Sequence, residues 1–373
     1  MNELKEIAFF PSAEHVKILG RTVALEDCLL LALSGSGVEF TYKGTKLTVT
    51  FYGDSSVKDR DDGTVPWKDQ ARMAVFVDGN LQLDTVIKKE KESFVVFGED
   101  ENAICGEHTV RIIKLSEPRM SSVGLGEIRV LAQEPPRPTS ASDRYIEFIG
   151  DSITCGYGID TASEANTFST TTENVSKAFS YLTAATLGAD ASYVLYSGHG
   201  LISGYTGNPD IPTLDELIQP YYEIFAYSYN TFRGKRLETI KWDFESERKP
   251  DTIVINLGTN DASYIMQDDN KLAAFREDYE DFLEQVHLAN PRSRIIIAFG
   301  LMGDELFETE KEAAESFAEK TGFSDIHTFR LTPQDPEKNG YAADYHPSAA
   351  SHMIAAKELT EYIRSLGGAY NAL

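Results

Sequence analysis

Apolar positions along this chain follow two different rhythms, and the change between them divides it. Up to about residue 132 the rhythm is that of strands. Residues 16–19 form a short apolar run, and residues 38–42 alternate between apolar and polar. Lys43-Gly44 reads as a turn and residues 47–51 alternate again, so this stretch predicts a hairpin. Residues 73–77 run into Asp78-Gly79, a strong turn signal, and residues 94–97, 109–115 and 127–131 complete the set. Short strands at this spacing, with no helical period between them, predict a β-sandwich of jelly-roll type over residues 1–134.

Residues 135–142, Pro135-Pro136-Arg137-Pro138-Thr139-Ser140-Ala141-Ser142, hold three prolines and small polar residues, and they read as a linker. Beyond it, over residues 143–373, strands and helices alternate. Apolar runs at 145–149, 193–196, 252–256 and 294–299 predict strands. Residues 177–187 predict a helix, as do 271–288, where Leu272, Phe275, Tyr279, Phe282 and Val286 recur at helical spacing before Asn290-Pro291 stops it. Residues 308–320 and 349–366 predict two more. The class is therefore α/β: a parallel sheet covered by helices on both faces, a three-layer α/β/α domain, preceded by the β-sandwich.

Composition narrows the partners. Against 35 basic residues stand 59 acidic ones, a net charge of −24. That balance argues against nucleic acid and against an anionic membrane surface, which both need basic patches. No apolar run reaches the roughly 20 residues of a membrane helix. Cys28, Cys105 and Cys155 are too few and too scattered for a disulfide framework or a zinc site. The first residues, Met1-Asn2-Glu3-Leu4-Lys5-Glu6-Ile7, lack a basic start followed by an apolar run, so no signal peptide is expected in this chain. The expectation is a cytoplasmic protein, or a secreted one if a signal has been removed. The composition leaves the oligomeric state open.

Candidate chemistry gathers where the second rhythm turns. The first strand of the α/β part leads into Gly150-Asp151-Ser152, the second into Ser197-Gly198-His199-Gly200, and the third into Gly258-Thr259-Asn260-Asp261. Asp344-Tyr345-His346-Pro347-Ser348 precedes the last helix. Open α/β sheets bind ligands at the carboxyl ends of their strands, so the first three strings converge on one place. Gly-Asp-Ser alone is usually an ordinary turn; all four strings in this order are hard to reach by chance.

From about residue 143 onward the chain resembles the SGNH (GDSL-like) hydrolases, whose four sequence blocks supply a serine, a glycine, an asparagine and a histidine. The resemblance implies that Ser152 is the nucleophile and His346 its base. It also implies that the N–H groups of Ser152 and Gly198 and the amide of Asn260 form an oxyanion hole. The chemistry agrees: a serine hydroxyl is a poor nucleophile until an imidazole accepts its proton, and a developing oxyanion needs preorganised donors. That superfamily places an aspartate three residues before the histidine. Here Ala343 holds that position and Asp344 lies two before His346. Either the carboxylate of Asp344 still reaches the ring, the alternative placed first, or its main-chain carbonyl does and the site is a Ser–His dyad. In both cases the acceptor would fix the tautomer and steady the imidazolium.

The whole chain is similar to carbohydrate esterase family 2. The residues that carry this are Ser34-Gly35-Ser36-Gly37-Val38-Glu39-Phe40 before Tyr42-Lys43-Gly44, Trp242-Asp243-Phe244 with Lys249-Pro250-Asp251, and the shifted Asp344. The resemblance implies a carbohydrate O-acetyl esterase of the acetyl xylan esterase kind. It would act on acetylated oligo- or polysaccharide through an acetyl-serine, with no cofactor and no metal. Tyr345, His199 and Trp242 become candidate substrate contacts. Each has a plainer reading: packing for Tyr345, a solvated loop for His199, core for Trp242. Cys155 reads as filler under Ser152, and Asp151 and Asp261 as structural. Two other functions compete: an SGNH lipase or thioesterase on other short acyl esters, and a catalytically silent carbohydrate-binding protein.

Overall fold

The computed structural model describes residues 3–57, 69–98 and 105–367. They form two compact units.

The first unit is an antiparallel β domain organised around one long strand, Gly37–Gly53. Its first half pairs with Gly106–Lys114, from Gly37 opposite Ile113 to Gly44 opposite Gly106. Its second half pairs with Val123–Ala132 and with Glu92–Phe97. The expected turn at Lys43-Gly44 is therefore absent, and the chain runs straight through as the strand changes partners. Gly44 serves close approach there, because a Cβ would lie 2.2 Å from the Leu131 carbonyl oxygen. The two halves bury alternate residues, among them Phe40, Tyr42, Val49 and Phe51, into one apolar core. The Asp78-Gly79 turn closes a hairpin between Arg72–Val77 and Asn80–Val86. Strands Lys5–Phe9, Thr22–Ala24 and Leu29–Leu31 add to the sheet and were not expected from the sequence. Nor is the proline-rich stretch free chain throughout: Arg137–Pro138 pairs with Thr41 and Phe40, and the Thr139 hydroxyl donates to Glu39 at 2.6 Å.

Two later segments, Ser169–Glu173 and Phe225–Ile240, also belong to this first unit. Arg233 makes a bidentate pair with Asp27 at 2.6 and 2.9 Å, and Glu173 accepts from the Glu117 N–H at 2.9 Å.

The second unit holds a five-stranded parallel sheet in the order Asp190–Leu195, Tyr145–Gly150, Thr252–Asn256, Arg294–Phe299, Ile326–Arg330. Helix Phe179–Thr186 packs with Ala349–Ser365, and Asp269–Ala289 packs with Phe307–Thr321. Strands Tyr145–Gly150, Thr252–Asn256 and Arg294–Phe299 are buried along almost their whole length, and Asp190–Leu195 over its last four residues, which is why these stretches read as mainly apolar runs. The α/β/α expectation is met, with one strand more than the sequence predicted. Among the described residues no helix is long and apolar enough to cross a membrane.

Candidate active site

The Tyr145–Gly150 strand ends beneath the site. Asp151 is extended, and its carboxylate accepts from the Ile153 N–H at 3.0 Å, capping the short helix Ser152–Cys155. Ser152 thus sits at the first helical position, on a turn held from below. The Thr154 hydroxyl donates to Asn256 at 3.0 Å, and the Cys155 thiol lies 3.4 Å from the Ser152 carbonyl oxygen. Cys155 is fully buried, as a filler under Ser152 should be.

The nitrogen Nε2 of His346 lies 2.9 Å from Ser152 Oγ, across 194 positions of sequence. Its other nitrogen, Nδ1, lies 3.1 Å from the Ala343 carbonyl oxygen and 3.2 Å from that of Asp344. Carbonyls only accept, so Nδ1 carries the proton and the Nε2 lone pair faces the serine hydroxyl. Burial drives the imidazole down to about 4, against the upward pull of the two carbonyls and of the Asp344 charge. The ring is therefore neutral near pH 7 and able to take a proton from Ser152.

The Asp344 carboxylate does not make the contact placed first on sequence grounds. It accepts from the Tyr157 hydroxyl at 2.6 Å, while its main-chain carbonyl serves the His346 ring. The reason is backbone geometry. Asp344 and Tyr345 both adopt the left-handed region, at φ 47° and 62°. Two consecutive residues in that region turn the chain so that carbonyls, and not the side chain, point at Nδ1. Each such residue costs about 1–2 kcal/mol, strain of the kind that concentrates at functional sites.

Tyr157 is the residue that sequence reasoning missed. Its ring stacks on His346 with centroids 4.1 Å apart and planes 21° apart, and its hydroxyl holds Asp344. The available signal was Gly156-Tyr157-Gly158, an aromatic between two glycines just after Ser152.

Gly198 and Asn260 stand at the ends of the neighbouring strands. Gly198 has φ 80°, a conformation that costs glycine little. The Asn260 amide donates to the His199 carbonyl at 2.8 Å and to Asp151 Oδ2 at 3.1 Å. Both partners are acceptors, which fixes the orientation of the amide.

The three candidate substrate contacts separate. Tyr345 is 61% exposed and follows the residue whose carbonyl holds the His346 ring. His199 is neither a solvated loop residue nor an exposed ligand contact. Its ring is buried between Tyr196 and Tyr221, and Nδ1 donates to the Ser197 carbonyl at 3.0 Å. Trp242 is half-buried in a groove of about 790 Å³ with Leu217, Phe244 and Phe282, and none of the other candidate site residues lines that groove. Among the described residues no cluster of three or more His, Cys, Asp or Glu is disposed to hold a metal ion.

A hydroxyl paired with a neutral imidazole at the end of a parallel strand is an arrangement suited to acyl transfer. Comparison with known proteins agrees in class. Residues 148–354 match the model of the GDSL-like Lipase/Acylhydrolase family, and residues 18–139 match the Carbohydrate esterase 2 N-terminal model. The chain belongs to the GDSL-like lipase/acylhydrolase family, in its carbohydrate esterase family 2 branch. The cellulase/esterase CelE of Acetivibrio thermocellus is 31% identical over 343 residues, 90% of this chain but only 37% of that protein's length. An acetylxylan esterase/glucomannan deacetylase of Cellvibrio japonicus is 25% identical over 95% of this chain and 90% of its own. A family two carbohydrate esterase from Clostridium thermocellum, solved with cellohexaose, superposes with a TM-score of 0.78 at 26% identity, covering 94% of this chain and 98% of that one.

Proposed function

We propose that this protein is a carbohydrate O-acetyl esterase that removes acetyl groups from the hydroxyls of plant-type oligo- or polysaccharides. The observation that carries the reading is the 2.9 Å contact between Ser152 Oγ and Nε2 of a neutral, carbonyl-oriented His346. Relatives named for acetyl xylan and glucomannan support the choice of acyl group and alcohol.

In this reading Ser152 Oγ attacks the acetyl carbonyl carbon as His346 Nε2 takes the hydroxyl proton. The tetrahedral oxyanion is met by the N–H groups of Ser152 and Gly198 and by the Asn260 amide. Asn260 already donates twice, so the substrate oxygen displaces one partner. The longer bond, 3.1 Å to Asp151, is the one to yield. His346 then returns the proton to the departing sugar oxygen, leaving acetyl-Ser152. Water, deprotonated by the same imidazole, repeats the addition, and acetate leaves as Ser152 regains its proton. The carbonyls of Ala343 and Asp344 orient the ring and steady the imidazolium, so the site works as a Ser–His dyad. Tyr345, exposed beside the base, offers an aromatic face for a sugar ring.

The test is acetate release from a panel of acetylated xylo-, manno- and gluco-oligosaccharides, followed by NMR, with Ser152→Ala alongside. Site-selective deacetylation that Ser152→Ala abolishes is expected. Faster cleavage of octanoyl than acetyl esters would sink the reading in favour of a lipase. No Ser152-dependent acetate from any glycan would leave a binding protein as the better account.

A further inference from the structure

The two residues that end Gly258-Thr259-Asn260-Asp261 lie side by side on the helix Thr259–Ile265, and both grip the same loop. Asn260 takes the carbonyl of His199 at 2.8 Å. Asp261 takes the next turn. One oxygen, Oδ1, accepts the successive N–H groups of Leu201, Ile202 and Ser203 at 2.8, 2.7 and 3.2 Å. The loop held this way is the one that carries Gly198 into the site. We propose that Asp261 is a positioning residue for ester cleavage: it fastens the Gly198 loop to the Asn260 helix, so that both donors converge on one acyl oxygen. The proposal rests on the reading of Ser152, Gly198 and Asn260 given above.

Three features set this clamp apart from an ordinary buried aspartate. The first is closeness. At Gly200 a Cβ would lie 2.6 and 2.7 Å from the two carboxylate oxygens, so the backbone rests directly on the carboxyl group, and only glycine permits it. The second is dryness. Asp261 is fully buried, and water cannot stand in for it if the side chain is cut back. The third is the charge around it. Asp151 lies on the Ser152 turn, Glu310 on the helix Phe307–Thr321 and Tyr279 on the helix Asp269–Ala289, and all three are fully buried. The carboxyl oxygens of Glu310, the Tyr279 hydroxyl and Oδ2 of Asp261 make no hydrogen bond among the described residues. Burial, with the charges of Asp261 and Asp151, pushes the Glu310 carboxyl well above the usual carboxyl range. Burial lifts Asp261 to about 7 although three N–H groups favour its anion. The grip on the loop is thus strongest above that value, where Asp261 is ionised, and it slackens as the carboxyl takes a proton.

The experiment compares the full chain with Asp261→Asn, Asp261→Ala and Ser152→Ala on one acetyl ester, reading kcat and KM separately from about pH 5 to pH 9. For Asp261→Ala, kcat is expected to fall roughly a hundredfold at pH 8 with KM changed less than about threefold, the pattern of a misplaced oxyanion donor. Asp261→Asn keeps an acceptor oxygen but cannot ionise. It is expected to keep kcat within about tenfold of the parent and to lose the rise in kcat that the parent shows as pH passes about 7. A folded Asp261→Ala with the parent kcat overturns the proposal. If that variant does not fold, Asp261→Asn decides, and a pH profile superimposable on the parent's overturns it. Failure of the esterase reading looks different, because the parent itself would then show no turnover above Ser152→Ala.

Discussion

His346 and His352 are the same residue, six positions apart, both sheltered from solvent and both held neutral, yet they present opposite nitrogens. In His346 the main-chain carbonyls of Ala343 and Asp344 occupy Nδ1, so the proton sits there and Nε2 is left as a lone pair facing Ser152. In His352 it is an N–H, that of Phe179, that meets Nδ1 at 3.2 Å, so Nδ1 is the lone pair and the proton sits on Nε2. Burial lowers both, to about 4 and about 3. A neutral buried imidazole is thus not by itself a base for anything. What makes one is the backbone group that meets its other nitrogen, and where the freed lone pair then points.

Cutting each ring away is the harshest way to break that comparison. His346→Ala and Ser152→Ala are each expected to lower kcat by about 10⁴-fold or more, and the double variant by little beyond that, because the two groups act as a unit. His352→Ala should leave kcat within about threefold and instead lower the unfolding free energy by roughly 2–4 kcal/mol, since a buried ring is lost and the Phe179 N–H is left without its acceptor. Steady-state kinetics paired with urea unfolding separates the two. A large kcat loss in a stable His352→Ala would show that the second ring belongs to the chemistry after all.

The next effect is smaller and bears on what holds His346. Tyr157 covers the ring and binds the Asp344 carboxylate. Tyr157→Ala removes both and should cost kcat about tenfold to a hundredfold, whereas Tyr157→Phe keeps the stack and should cost less than about fivefold. Asp344→Ala leaves both carbonyls in place and should cost less than about tenfold, far short of Ser152→Ala. A loss in Asp344→Ala as deep as in Ser152→Ala would restore the carboxylate to the relay.

These residues also mark where the sequence is readable. Ser152, Gly198 and Asn260 each follow an apolar run by two to four positions, and His346 precedes a periodic helix, so local pattern suffices to single them out. Tyr157 meets Asp344 across 187 positions, and the choice of carbonyl over carboxylate depends on two left-handed residues in a row, neither of them glycine. No local propensity signals that. His199 misleads for a related reason: Gly-His-Gly reads as open loop, and only the packing of Tyr196 and Tyr221 buries it. In the fold, the missing strand Ile326–Arg330 lies at the sheet edge, half-buried along most of its length, and its polar residues break the apolar run by which the inner strands are found. Gly44 looks like a turn because close approach and turning both call for glycine.

Titration sharpens the comparison further. The acid limb of kcat/KM that belongs to His346 is expected near pH 4, because only below that value does the free enzyme's imidazole hold a proton. For stability, both histidines bind fewer protons folded than unfolded, between their lowered values and the ordinary one near 6.5. Their contribution is whole above about pH 6.5 and is lost as pH falls toward 4 and 3. Asp261 has the opposite sign: raised from 3.8 to about 7, it binds more protons folded than unfolded and takes stability away as pH rises across that window. Removing His352 should therefore flatten the acid side of the stability curve and leave the 4-to-7 slope of Asp261 in place, as urea midpoints at stepped pH would show.

The smallest effect is expected at Glu310. It is as buried as His352 and, like it, shifted toward its uncharged form, first by burial and then by the charges of Asp261 and Asp151. Glu310→Gln replaces a carboxyl pushed toward its uncharged form by a neutral amide of nearly the same shape, so kcat should stay within about twofold and stability within about 1 kcal/mol. Glu310→Lys would set a cation beside Asp261 and favour its anion. That variant should move the Asp261-dependent rise in kcat below pH 7 while leaving the His346 limb near 4. If Glu310→Gln instead shifts that rise, Glu310 carries charge in the working enzyme.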